Sequence, residues 1–122
     1  MPGLRESLSR LISIPGVRAA VLVGRDGLPI ETAGRGEARF LEALGSLGAS
    51  ALGTTEALGA ELGQGDTVAA LLEYESALVS VDPLGDYAAV VTLAESAASL
   101  GALRRAVRAS RDELLSQLDQ MR

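Results

Sequence analysis

ALGSLGASALGTT, residues 43–55, contains no charged side chain in a chain that is otherwise 22% charged. On a helix turning about 100° per residue, the longer segment 40–62 gathers Phe40, Leu41, Leu44, Leu47, Ala51, Leu52, Leu58 and Leu62 on one broad side. That stripe is expected to face the core. The other side carries Gly45, Ser46, Ala49, Ser50, Gly53 and Ala57, with Glu42 and Glu56 at its ends, where a solvated helix would show long charged side chains. An interior glycine costs a helix about 1 kcal/mol relative to alanine, so Gly45, Gly48, Gly53 and Gly59 need a reason. The functional reading is that small side chains admit a second backbone at close range, which makes Glu42, Gly45, Ser46, Ala49, Ser50, Gly53 and Ala57 the candidate partner-binding face. The alternative is drift in a composition rich in alanine and glycine.

Around this helix the chain reads as a small mixed fold. A short helix from Gly3 to Ile14 is predicted, with Leu4, Leu8, Leu11 and Ile12 on one face and Glu6 and Arg10 spaced as a surface pair. Pro15-Gly16 ends it. Val17 to Gly24 alternates as a strand, placing Val17, Ala19, Val21 and Val23 opposite Arg18, Ala20 and Leu22. Arg25-Asp26-Gly27 then signals a hairpin. Its partner strand is Leu28 to Ala33, and Pro29 assigns that strand to a sheet edge. Gly34-Arg35-Gly36 leads into the long helix, and the glycines between Leu62 and Asp66 end it. Three more strands follow: Thr67 to Tyr74, Ala77 to Asp82, and Tyr87 to Leu93, with a turn over Asp82-Pro83-Leu84-Gly85-Asp86. From Ser96 or Ser99 the chain reads as helix to its end, with Leu100, Leu103, Val107, Leu114, Leu118 and Met121 on one face.

The later strands are apolar on both faces, so helices must cover both sides of the sheet. The expected fold is an α/β sandwich, α-β-β-α-β-β-β-α, with a five-stranded antiparallel sheet covered by helices on both faces. At 122 residues it is expected to be one domain spanning 1–122.

Composition excludes several function classes. A net charge of −5 and 2% aromatic content argue against a nucleic-acid surface. Cysteine and histidine are absent, which removes thiolate and imidazole metal ligands and the commonest general base. All 11 basic residues are arginine, so a lysine-bearing phosphate loop or Schiff base is excluded. No apolar run of about 18 residues spans a membrane and no signal peptide is apparent, so a cytoplasmic location is expected.

The remaining sites are weak. Gly48-Ala49-Ser50-Ala51 falls short of a nucleophile elbow. Gly34-Arg35-Gly36 fits a helix-entry turn better than a phosphate loop. Asp82 and Asp86 bracket a turn but supply too few oxygens for a calcium cage. Arg104, Arg105, Arg108 and Arg111 form the one basic cluster, with Arg104, Arg108 and Arg111 on one helix flank. Asp112 lies four residues past Arg108, so a solvated helix laced with ion pairs accounts for them. No catalytic residue, cofactor or metal ligand is expected.

The element order, together with Leu8, Leu11, Ile14-Pro15-Gly16-Val17, Ala20-Val21-Leu22-Val23 and Arg25-Asp26-Gly27-Leu28-Pro29-Ile30, resembles the Roadblock/LC7 family, a roadblock/profilin-like architecture. The resemblance implies a homodimer or heterodimer in which third strands pair edge to edge and second helices pack side by side. It makes Thr67, Val68, Ala69, Ala70, Leu71, Leu72, Glu73 and Tyr74 the dimer edge strand. It also implies a non-enzymatic scaffold or regulator, with a Ras-like small GTPase as the recurrent prokaryotic partner. The alternative is a passive structural subunit whose small-residue face is consumed by dimerisation. A long apolar edge strand is an aggregation hazard unless something pairs with it, which independently favours a second copy.

Overall fold

The computed structural model describes residues 3–95 and 100–121. The elements run α1 (Leu4–Ile12), β1 (Val17–Gly24), β2 (Pro29–Gly34), α2 (Ala38–Leu62), β3 (Ala70–Glu73), β4 (Leu78–Leu84), β5 (Ala88–Ala94) and α3 (Leu100–Gln120). The order matches expectation; the expected start of the last helix, at Ser96 or Ser99, lies outside the described residues. The strands form one antiparallel sheet in the order β2-β1-β5-β4-β3. Pro29 opens β2, an edge strand, where a missing N–H breaks no interior ladder.

The hairpin between β1 and β2 forms at the Asp-Gly step. The Gly24 N–H donates to the Leu28 carbonyl at 2.9 Å, and Gly27 takes φ 88°, a conformation open mainly to glycine. Helices cover both faces of the sheet. Leu8 and Leu11 of α1, with Leu103, Val107 and Leu114 of α3, pack on Ala20, Leu22, Val90 and Ala94. On the opposite face Leu41, Ala49 and Leu52 of α2 pack on Ala19, Val21, Val23, Val81 and Val91.

Several local readings change. The strict alternation expected of β1 breaks at Arg18, where the pairing with β5 steps from Val17↔Ala94 to Ala19↔Leu93. The extra residue turns Val17 into the core that holds Ala20 and Leu22, away from Ala19, Val21 and Val23. Arg10 pairs across to Glu113 of α3 at 2.8 Å rather than with Glu6, tying the two helices that share a sheet face. β4 runs on through Asp82 and Pro83 to Leu84, so the turn is confined to residues 85–87. Proline is tolerated at 83 because β3 pairs with β4 only from Leu78 to Val81, leaving that flank of Pro83 unpaired.

Asp82 is therefore an interior strand residue, 5% exposed, and not a turn carboxylate beside Asp86. It accepts hydrogen bonds from Ser80 Oγ and from Arg104 Nη1, each at 2.5 Å. A buried carboxylate held by a guanidinium and a hydroxyl has its desolvation offset. The pair fixes the start of α3 over β4.

Candidate functional site

The expected orientation of α2 is overturned. Its buried residues are Leu41, Gly45, Gly48, Ala49 and Leu52, whereas Leu47 and Leu58 are 69% and 59% exposed and Phe40 and Leu62 also face outward. The helix sits roughly a quarter-turn away from the expected setting. The reason is close approach. A Cβ added at Gly45 would lie 2.8 Å from Val21 Cγ1, and one at Gly48 would lie 2.5 Å from Val91 Cγ2. Valines on β1 and β5 fill the space that side chains at the middle of α2 would need, so Gly45, Gly48 and Ala49 face the sheet between Leu41 and Leu52, and Leu47 and Leu58 are displaced outward. Gly45 and Ala49 thus leave the candidate partner face, because they are buried in their own protomer.

The other members of that face, Glu42, Ser46, Ser50, Gly53 and Ala57, are exposed on one shoulder of the helix. Ser46 lies against the β1–β2 hairpin, its Oγ being 3.4 Å from where a Cβ on Gly27 would sit. This shoulder looks toward β2. Gly45 sits over β1 and Gly48 over β5, so the opposite shoulder looks along the sheet order toward β4 and β3.

That opposite shoulder carries Phe40, Leu44, Leu47, Ala51, Thr54 and Leu58. They recur at alternating intervals of four and three, the spacing of a coiled-coil seam, and no charge interrupts them. Only Leu44 and Ala51 are partly covered. Beneath it β3 forms the free edge of the sheet. The strand is shorter than expected, Ala70–Glu73, so Thr67, Val68 and Ala69 precede it and Tyr74 follows it, its N–H donating to the Ala77 carbonyl at 2.8 Å. Val68, Leu71 and Tyr74 are exposed large side chains along this edge. The seam stands over the flank of the sheet that ends at this edge, while Leu71, next to Ala70 of the α2-side core, and Val68, which borders a hollow with Arg104, Val107 and Arg108 of α3, turn to the other face of the edge.

Sequence reasoning missed this surface because it assigned every leucine of α2 to the core. The signal was present in the 3.5-residue repeat, which differs from the 3.6-residue period of a core stripe. It also missed Arg25, whose guanidinium donates to Glu56 of α2 and to the Gly85 and Ala88 carbonyls, with its N–H on the Tyr87 carbonyl. One side chain laces α2, the first hairpin and the β4–β5 turn. Arg104 is likewise structural rather than part of a free basic flank, and Arg108–Asp112 is not among the ion pairs of the described residues.

Ser50 lies mid-helix with no elbow around it. Among the described residues no group of three or more carboxylates gathers where a metal could be held, and no helix is long and apolar enough to cross a membrane.

A model of the Roadblock/LC7 domain matches residues 4–94, and the chain belongs to that family. Among solved structures it is similar to Myxococcus xanthus MglB, at 21% identity over 95% of this chain and 94% of that one, with a TM-score of 0.85. An MglB described as having a tetrameric arrangement matches at 24% identity over 94% and 87% of the two chains, TM-score 0.84. A Roadblock/LC7 domain from Streptomyces avermitilis matches at 21% identity over 98% of each, TM-score 0.82. At these identities the likeness establishes the roadblock fold. No curated protein sequence matches the chain.

Proposed function

We propose that this chain is a single Roadblock/LC7 domain that acts as a homodimeric, non-enzymatic adaptor and presents its paired second helices to a Ras-like small GTPase. The observation that carries the reading is the unbroken apolar seam of α2 standing on the same side as the free edge of β3. A two-fold axis beside β3 lets that edge pair with its own copy and brings two leucine seams together in one step. The arrangement agrees with what family resemblance implies, and the tetrameric MglB shows that a similar fold assembles.

The small-residue shoulder is a separate surface. Ser46, Ser50, Gly53 and Ala57 look toward β2, away from the seam, so a seam-to-seam dimer leaves them open to a partner. This supports an adaptor over a passive subunit whose small face is consumed by dimerisation. The GTPase itself comes from the family resemblance.

The test separates the two surfaces. Leu47→Ser with Leu58→Ser is expected to yield a folded monomer by light scattering, since both side chains are exposed in the protomer. Ser50→Arg with Ala57→Arg is expected to remain dimeric but to recover no GTPase in a pull-down in which wild type recovers one. A wild-type bait that recovers no GTPase, or an arginine variant that recovers it equally, contradicts the adaptor reading and leaves the passive dimer.

A further inference from the structure

The exposed large apolar side chains fall into two groups, and the dimer reading absorbs only one. Leu28, Ile30, Tyr87 and Met121 lie apart from α2 and β3, around the end of the sheet where the first hairpin meets the β4–β5 turn. They line two adjoining hollows of ≈ 510 Å³ and ≈ 400 Å³ that share Ile30, Asp86 and Tyr87. Leu115 and Leu118 of α3 complete the floor of the larger one. Together they form an open apolar trough between β2 and the last turns of α3.

Its charge is one-sided. Asp86 borders both hollows, Asp26 borders the smaller and Asp119 the larger. Among the described residues the one arginine in either lining is Arg25, and its guanidinium is already held by Glu56 and by two backbone carbonyls. The chain as a whole carries a net charge of −5. An apolar floor with Asp26 and Asp86 at its rim suits a segment that is apolar along one side and cationic beside it. A small ligand would find few neutral polar groups there to orient it.

We infer that this trough docks an amphipathic, lysine- or arginine-bearing helix of a partner protein, with apolar anchors resting on Ile30, Tyr87 and Leu118 and cations facing Asp26 and Asp86. The surface lies on the β2 side of the molecule, so occupancy does not depend on β3 pairing.

Fluorescence anisotropy tests it on the full chain. The probe is a labelled helical peptide with leucine at i, i+3, i+4 and i+7 and lysine elsewhere; its control replaces every lysine with glutamate. The lysine peptide is expected to bind and the glutamate peptide to fail. Tyr87→Ser with Met121→Ser should weaken binding about tenfold or more, about 1.4 kcal/mol per decade. The variant should fold normally, because both side chains are exposed and the Tyr87 backbone carbonyl that accepts from the Arg25 N–H is retained; a circular-dichroism melt matching wild type checks this. Asp26→Asn with Asp86→Asn should also weaken binding and flatten its salt dependence. Leu47→Ser with Leu58→Ser should leave the peptide affinity unchanged, which separates this surface from the dimer face. The inference is overturned by no binding, by equal affinity for the Tyr87/Met121 variant, or by equal binding of the glutamate peptide. A drop in assembly mass of the Tyr87/Met121 variant would overturn it too, by showing that a second copy occupies the trough.

Discussion

At Gly48 an added methyl group would meet both Cγ atoms of Val91, at 2.5 and 2.9 Å, while at Gly53 it would meet nothing within 4 Å. Two glycines five residues apart on one helix therefore have opposite reasons to exist. Gly48→Ala gains about 1 kcal/mol of helix propensity but overpacks a stiff β-branched neighbour, which typically costs about 1–3 kcal/mol. Its melting temperature is expected to fall. Gly53→Ala keeps the propensity gain, so its thermal midpoint should rise; the same sign for both in calorimetry would contradict the orientation of α2. The buried pair below α3 makes a second residue-scale prediction. Arg104→Ala strands the Asp82 carboxylate in the interior and should cost about 3–5 kcal/mol by urea unfolding, whereas Asp82→Leu with Arg104→Met should recover most of that. Equal losses in the two variants would show that the pair is not acting as a charged unit. Neither Asp82 nor Arg104 was legible in the sequence in these roles, because they meet only when β4 extends past Pro83 and α3 crosses it.

Among the elements, α2 was legible as to existence and extent but not as to facing. Its leucines and its glycines each recur at helical spacing, and hydrophobicity alone favours the leucines for the core. Steric fit to Val21, Val23 and Val91 decides otherwise, and that depends on which strands lie under the helix. The β3 edge was legible through its apolar run and its place in the element order, but the run continued through residues that do not pair. Thr67, Val68 and Ala69 read as strand by composition, yet β4 offers partners only opposite Ala70 to Glu73. A short edge strand has a consequence of its own. In the proposed dimer, pairing with a second copy through four residues would give few ladder bonds, so most of its stability is expected to come from the α2 seam. Leu71→Lys, at the exposed face of that edge, is accordingly expected to weaken dimerisation less than Leu47→Ser with Leu58→Ser, as measured by the dissociation constants in sedimentation equilibrium. A larger effect at Leu71 would place the main contact on the strand.

For the whole molecule, the order of eight elements, the edge position of β2 and the coverage of both sheet faces followed from turn residues and from strands apolar on both sides. What could not follow was the division of the surface into three parts: a leucine seam with the β3 edge, a small-residue shoulder toward β2, and the acidic-rimmed trough at the sheet end. The seam with its edge and the trough each join residues far apart in the chain, and the shoulder, though local to α2, depends on how the helix is turned. In the proposed dimer the seam, and not the small shoulder, joins two copies. Light scattering at micromolar concentration of wild type, Leu47→Ser/Leu58→Ser and Ser50→Arg/Ala57→Arg tests it most directly. With a protomer of 12.5 kDa, twice that mass is expected for wild type and for the arginine variant, and 12.5 kDa for the serine variant. A wild type at protomer mass, or a dimer lost in the arginine variant and kept in the serine variant, would contradict it.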